Sequence, residues 1–184
     1  PDPRAAPLAE RTLLAPPGVD DLRSHAVTIL LRTGRIDALR RAYPSLPPNA
    51  AEPEAPLRYT VLQRLFECAD PSAAPELHAV ARAFEPELRA AAAGGDLRER
   101  LLADGVLLRL GDTAAGDRLV AAYRAHAEDD EPAALALDRL ARAARHPFAY
   151  RSLFERYAQE ASRAPASRSL WVHTSLALLS LLWP

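Results

Sequence analysis

The chain has one cysteine, Cys68, and contains no methionine and no lysine. A single thiol excludes an internal disulfide framework and a zinc site built from cysteines, and a reducing cytoplasm is the expected location. All 23 basic residues are arginine, which is typical of a GC-rich genome. The 24 acidic residues give a net charge of −1, so the chain lacks the strong basic excess of a dedicated nucleic-acid-binding protein.

Residues that favour β-strands are also scarce. Aromatic residues make up 6% of the chain, and isoleucine occurs only at Ile29 and Ile36. Alanine, leucine, arginine and glutamate dominate instead, and these are strong helix formers. An apolar fraction of 49% in 184 residues is enough for a folded core. We therefore predict an all-α protein that forms a single domain over residues 1–184.

The two ends of the chain bear on the expected location. Residues 1–4 lack the basic and then apolar plan of a secretory signal. The apolar segment 170–183 contains His173 and is shorter than the roughly 20 residues needed to cross a bilayer. We predict a buried helix there and no membrane span.

Proline, of which there are 17 residues, punctuates the chain at helix starts and in linkers. The longest irregular linker is 44–54, and Pro86 predicts a kink or break near Phe84. Elsewhere apolar residues recur with a helical period. One predicted core stripe consists of Leu22, His25, Ala26, Ile29 and Leu30. The predicted helices cover 4–15, 19–33, 35–43, 55–69, 72–93, 97–110, 113–127, 131–145, 148–163 and 166–182.

Acidic residues and glycines mark the predicted helix ends. A carboxylate in or just before a first turn can accept hydrogen bonds from free backbone amides, and four are placed there: Asp20, Asp70, Asp96 and Asp112. Glycines at helix ends supply a left-handed capping conformation, which we expect at Gly34, Gly94–Gly95 and Gly111.

An internal repeat is the most informative feature of the sequence. The segment 69–82 aligns with 111–124, with Asp, Ala, Leu, Ala and Arg at matching places. A weaker copy begins at 146 and a more diverged one at 33. Each unit has the pattern helix, turn, helix, and such a hairpin buries both of its faces only when it stacks on its neighbours.

The run from Leu107 to Leu119 resembles the turn of bacterial lyase-type HEAT-repeat proteins, with a leucine-rich helix, a Gly-Asp pair, small residues and a leucine. The segment 129–137 is similar to that family's acidic turn and second helix. The resemblance implies a right-handed α-solenoid of about four to five stacked helical hairpins, with the best repeats over 55–163. Tetratricopeptide-type stacking is the alternative, but its period of about 34 residues does not hold along the chain.

No motif assigns a chemical reaction. The histidines show no H-E-x-x-H spacing, and we expect them to be buried or half-buried rather than metal ligands. Acidic neighbours and a helix end should raise the pKa of the Cys68 thiol, which favours a structural role. Nucleophile, phosphate-loop and dinucleotide motifs are missing from the sequence. We therefore predict no catalytic residue, no cofactor and no metal, and a non-enzymatic role is favoured.

Arginines recur on the predicted second helices, which in the resemblance line the concave face. The candidate binding residues are Arg58, Tyr59, Arg98, Arg100, Arg139 and Arg142. Such a row could hold an acidic peptide or a phosphate-bearing ligand. The alternative is pairing with nearby acids, for example Arg98 or Arg100 with Asp104. A glycosylase-like enzyme that uses Asp104 or Asp138 beside an aromatic residue is a third hypothesis.

The last predicted helix is apolar almost all round, whereas a terminal repeat should have a polar outer face. Its candidate partner or dimer residues are Trp171, Leu178, Leu182 and Trp183. A buried position, a second copy, a partner or further repeats would each cover them. We predict a protein- or peptide-binding scaffold or adaptor, and nucleic-acid or phosphate binding through the arginine row is the alternative.

Overall fold

The computed structural model describes residues 4–14, 20–46, 57–126 and 130–144, and the regular structure in these ranges is entirely helical. The helices are α1 (Ala5–Leu13), α2 (Asp20–Arg32), α3 (Ile36–Ala42), α4 (Leu57–Cys68), α5 (Pro75–Ala83), α6 (Glu85–Gly94), α7 (Leu97–Arg109), α8 (Thr113–Ala125) and α9 (Asp130–Ala144). A 3₁₀ turn, Tyr43–Ser45, follows α3. The all-α prediction is confirmed for these ranges, while the predicted helices 148–163 and 166–182 lie outside them. No described helix combines the length and the apolarity needed to cross a membrane.

The predicted break at Pro86 is confirmed. Helix α5 ends at Ala83 and α6 begins at Glu85, with Phe84 between them. Pro86 takes a first-turn position in α6, where its missing N–H would have no intrahelical partner. Helix α5 begins later than the predicted residue 72, because Asp70 accepts a hydrogen bond from the Ser72 amide at 2.9 Å and closes a turn before it.

Two of the predicted acidic caps bind the free amides of first turns. The Asp96 carboxylate accepts a hydrogen bond from the Glu99 amide at 2.8 Å, which caps α7. The Asp112 carboxylate accepts one from the Ala114 amide at 3.1 Å, which caps α8. Both helices therefore begin where the sequence predicted.

Gly34 and Gly111 end their helices in the left-handed conformation, with φ of 69° and 100°. After Gly111, the Asp112 amide donates to the Leu107 carbonyl at 2.9 Å, and the Gly111 amide donates to the Leu108 carbonyl at 3.0 Å. This pair of bonds is the Schellman motif, and it recurs at Gly34. The left-handed prediction was wrong at Gly94–Gly95: Gly94 is the last residue of α6 and has no positive φ, and the φ of Gly95 is −72°.

Helices α2, α4, α7 and α9 contact one another in that order, and the other helices pack beside them. Helix α7 is central, because it contacts α4, α6, α8 and α9. Residues 101–108 of α7 are all buried, because four other helices surround this helix. One core cluster runs from Ala9 in α1 to Leu140 in α9.

The predicted core stripe of α2 was wrong at two positions. Leu22 is 54% exposed and His25 is exposed, although Ala26 and Leu30 are buried as predicted. Helix α2 packs against α1, α3 and α4, so its buried face is centred on Val27 and Leu30 instead.

Candidate ligand-binding surface at Phe66

Three arginine side chains converge on the ring of Phe66 in α4. The guanidinium carbons of Arg109, Arg139 and Arg142 lie 3.6, 4.3 and 5.3 Å from the ring centroid. Arg109 ends α7, whereas Arg139 and Arg142 belong to α9, so the group joins three helices. The electron-rich face of an aromatic ring attracts cations, which offsets part of the repulsion among the three charges. We call these four residues the Phe66 cluster.

Arg139 is the most deeply buried of the three arginines, with 4% of its surface exposed. Its Nη2 donates a hydrogen bond to Gln63 Oε1 at 2.6 Å, and its Nε lies 3.7 Å from Asp138 Oδ2. Its Nε and Nη1 are buried and have no hydrogen-bond partner among the described residues. Buried donors of this kind are costly, so this guanidinium retains unused capacity to bind an acceptor.

Arg109 ties the ends of the three helices together. Its Nη1 donates to the Phe66 carbonyl at 2.6 Å and its Nη2 to the Arg142 carbonyl at 3.0 Å. Its Nη2 also lies 3.0 Å from Asp70 Oδ2, and only 6% of the side chain is exposed. Arg109 therefore acts mainly by fixing the backbone positions of Phe66 and Arg142.

Arg142 is the member of the cluster that meets solvent. Its side chain is 51% exposed, and its Nη1 lies 3.6 Å from Asp138 Oδ2. An exposed pair of this kind contributes little to stability, so Arg142 can exchange Asp138 for another carboxylate at small cost. It is the natural first contact for an anionic ligand.

The local charge balance favours an anion. Three arginines face two carboxylates, those of Asp70 and Asp138. Burial lowers the pKa of Arg139, and the neighbouring charges of Arg142 and Arg109 lower it further against the opposing effect of Asp138. Burial also lowers the pKa of Arg109. A carboxylate or phosphate brought to this surface would relieve that repulsion and could bind in the bidentate manner of guanidinium groups.

Tyr59 and Arg98 extend the same surface along α4 and α7. The Arg98 guanidinium carbon lies 5.2 Å from the centroid of the Tyr59 ring. The Tyr59 hydroxyl donates to Asp96 Oδ2 at 2.6 Å, and the charge of Arg98 acts on Arg139. Of the six predicted binding residues, Arg139 and Arg142 thus contact Phe66, and Arg98 and Tyr59 form a second pair between α7 and α4.

The other two predicted residues lie elsewhere. Arg58 donates from Nη2 to the Pro44 carbonyl at 2.7 Å, and its Nη1 lies 3.6 Å from Glu99 Oε1. Arg100 is exposed on α7, and its charge acts on Asp104. Arg58 therefore lies apart from its chain neighbour Tyr59, because successive residues of a helix point in different directions.

Both aspartates considered for catalysis bind arginines. Asp104 Oδ1 accepts hydrogen bonds from Arg118 Nη2 at 2.7 Å and Nε at 2.9 Å, so its partner is Arg118 rather than the predicted Arg98 or Arg100. Asp138 pairs with exposed Arg142. These ion pairs remove the reason for treating either carboxylate as a general acid or base.

Sequence reasoning missed Phe66 and Arg109 as members of the site. Arg98 and Arg109 are 11 residues apart in one helix, which is about three turns and places both on one face. That spacing could have identified Arg109 as a site residue from the sequence. The predicted partner residues Trp171, Leu178, Leu182 and Trp183 lie outside the described residues.

Comparison with known proteins finds no matching family model, no matching curated protein and no matching solved structure. Membership of the HEAT-repeat family stays a prediction for this reason. The function is therefore argued from the residues of the Phe66 cluster and their surroundings.

Proposed function

We propose that the chain is a non-enzymatic binding module that docks an acidic protein or peptide segment on the surface of α4, α7 and α9. The order of contact α2–α4–α7–α9 supports a HEAT-like solenoid in which these helices line one side. The observation that carries the proposal is the convergence of Arg109, Arg139 and Arg142 on one ring.

Ligand contact would begin at Arg142 and end at Arg139. Arg142 is half exposed and already holds a carboxylate, that of Asp138. Arg139 has donors that no described residue uses, and Arg98 adds positive charge beside it. An acidic side chain of the ligand would replace the Asp138 carboxylate on Arg142. This exchange requires no rearrangement of the helices.

An acidic peptide suits the surface better than a nucleic acid does. The positive charge is concentrated around one ring, and Asp70, Asp96 and Asp138 border it. A nucleic-acid backbone carries a charge at every nucleotide and usually needs an extended basic groove. A net charge of −1 for the whole chain also opposes long-range attraction of a polyanion.

The test uses fluorescence anisotropy with a labelled glutamate-rich peptide and the same peptide carrying lysine in place of glutamate. The acidic peptide should bind and the lysine peptide should not. Arg142→Gln should weaken binding about tenfold, as expected for the loss of a charge-assisted pair. Arg64→Gln is the matched control, because Arg64 is 45% exposed in α4 and pairs with Glu67. It should leave the affinity unchanged.

Two outcomes would overturn the proposal. The first is no binding of the acidic peptide even at low salt. The second is equal weakening by Arg64→Gln and Arg142→Gln, which would indicate a general charge effect. A single-stranded oligonucleotide that binds more tightly than the peptide, with a steep salt dependence, would favour the nucleic-acid alternative instead.

A further inference from the structure

An open pocket of about 300 Å³ lies where Arg58, on α4, meets α6, α7 and the 3₁₀ turn after α3. It shares no residue with the Phe66 cluster. Its polar lining consists of Tyr43, Arg58, Glu87 and Glu99, and the rest is mostly alanine and glycine. The size lies at the lower end of the range for small-molecule sites in proteins.

Glu99 lines this pocket with only one of its oxygens bound. The side chain is 2% exposed, and Oε1 accepts a hydrogen bond from the Tyr43 hydroxyl at 2.8 Å. Arg58 Nη1 lies 3.6 Å from the same oxygen. Glu99 Oε2 is buried and has no hydrogen-bond partner within the described ranges. A carboxylate oxygen in that state is costly unless a donor reaches it.

Glu87 repeats the arrangement on α6. Its Oε1 accepts a hydrogen bond from Arg40 Nε at 2.7 Å, and 18% of its side chain is exposed. Its Oε2 is buried and lacks a partner in the part of the chain that the structure describes. Each of these two pocket carboxylates thus accepts a hydrogen bond from the protein at Oε1, while its Oε2 has no donor in the described ranges.

Gly95 makes room for the Glu99 side chain. A Cβ built on Gly95 would lie 2.9 Å from both Cβ and Cγ of Glu99, and 2.7 Å from the Ala91 carbonyl oxygen. A larger residue at 95 would push Glu99 out of its place. The glycine that sequence reasoning assigned to a helix cap therefore serves this close approach.

Arg58 contributes the complementary donor. Its Nε is buried and has no hydrogen-bond partner among the residues described. The charges of Glu87 and Glu99 are balanced by those of Arg40 and Arg58, so the pocket as a whole is neutral. A ligand that carries both charges keeps that balance, whereas a purely cationic or anionic ligand upsets it.

We propose that this pocket binds a free α-amino acid as its zwitterion, with the ammonium group on Glu87 and Glu99 and the carboxylate on Arg58. An ammonium group has three donors, which suits two buried carboxylate oxygens that lack a hydrogen-bond partner in the described part of the chain. The alanine and glycine lining favours a small apolar side chain. No three metal ligands cluster in residues 4–14, 20–46, 57–126 or 130–144, so the geometry favours an ammonium group over a metal ion. The proposal is independent of peptide docking at the Phe66 cluster.

Isothermal titration calorimetry with alanine tests the proposal, with N-acetylalanine, alaninamide and the dipeptide Ala-Ala as comparison ligands. Alanine should bind, and N-acetylalanine should not, because its nitrogen carries no charge. Binding of Ala-Ala more tightly than alanine would overturn the free amino acid as the ligand, because the pocket would then prefer the N-terminus of a peptide. Alaninamide should bind more weakly than alanine, because Arg58 then meets a neutral group.

Variants separate this site from general charge effects. Glu87→Gln, near the mouth of the pocket, should weaken alanine binding about tenfold. Glu85→Gln is the matched control on the same helix, since Glu85 binds Arg89 outside the pocket, and it should have no effect. Absence of heat with alanine at millimolar concentration, equal binding of N-acetylalanine, or equal weakening by both variants would each overturn the proposal.

Discussion

The side chain of Arg139 fills the space that a side chain at position 105 would need. A Cβ built on Gly105 would lie 2.7 Å from Arg139 Cδ and 3.2 Å from Arg139 Cβ. Because this glycine lies where α7 meets α9, Arg139 can pass over it and reach Gln63 and Phe66 on α4. A residue without a side chain on one helix thus allows a second helix to contact a third.

Gly105→Ala should lower the free energy of unfolding by about 1 kcal/mol, since crowding in a packed core costs more than the gain in helix propensity. Part of the clash is with Arg139 Cβ, so α9 itself must shift. Urea denaturation followed by circular dichroism measures the effect. Gly94→Ala is the control, because a Cβ there meets nothing within 4 Å. If both variants are as stable as the parent, the close contact between α7 and α9 is not needed.

Gly34→Ala and Gly111→Ala should each lower the free energy of unfolding by about 1 kcal/mol. A Cβ at either position meets nothing within 4 Å, so the whole cost comes from the positive φ. Gly111→Asn should cost less than Gly111→Ala, because asparagine tolerates the left-handed region better. Thermal denaturation of the three variants gives their order of stability. A Gly111→Ala variant more stable than Gly111→Asn would contradict the prediction.

Tyr43 and Tyr59 should remain protonated in alkali that ionises ordinary tyrosines. Burial and the hydrogen bond to Glu99 raise the pKa of Tyr43, and burial and the bond to Asp96 raise that of Tyr59. Because the folded-state pKa values exceed the unfolded value of about 10, this stabilisation is complete below about pH 10 and is lost as the pH rises further.

Ultraviolet absorbance of the phenolate measures this behaviour. In the native protein at least two of the five tyrosines should not ionise near pH 10, whereas in urea all five should. Stability should also fall with increasing pH above that value. Titration of all five tyrosines near pH 10 without unfolding would show that the bonds to Glu99 and Asp96 are not maintained.

Cys68 should react slowly with iodoacetamide in the folded protein. Burial raises the pKa of its thiol, and the charge of Glu67 raises it further. Less thiolate and poor access both slow alkylation. The rate should increase at least tenfold in denaturing urea, as mass spectrometry can show. Equal rates in both conditions would mean that the end of α4 opens readily.

Much of the local structure was predictable because it depends on residues close together in the chain. The break at Pro86 follows from a ring that has no N–H. The turn at Gly111 needs only a left-handed residue, and the cap at Asp112 needs only a carboxylate two residues from a free amide. Each of these features is decided within about one helical turn.

The candidate binding surface was predictable only in part. Arg139 and Arg142 were expected on an inner helix and do lie together, but Phe66 and Arg109 were missed. Arg58 carries the same charge and lies on the same helix as Phe66, yet it contacts Glu99 instead. Residue type and spacing alone could not separate these outcomes.

The sequence by itself determined the helical class, the starts of α7 and α8, and the turns at Gly34 and Gly111, since propensities, prolines and capping residues act locally. Only the tertiary structure decided which arginine reaches Phe66, which glutamates face the pocket, and why Gly95 and Gly105 must be small. Those results depend on which helices are neighbours and on how each is rotated about its axis. The rotation of each helix is set by the burial of apolar surface in the whole core. No single segment of the sequence therefore determines it.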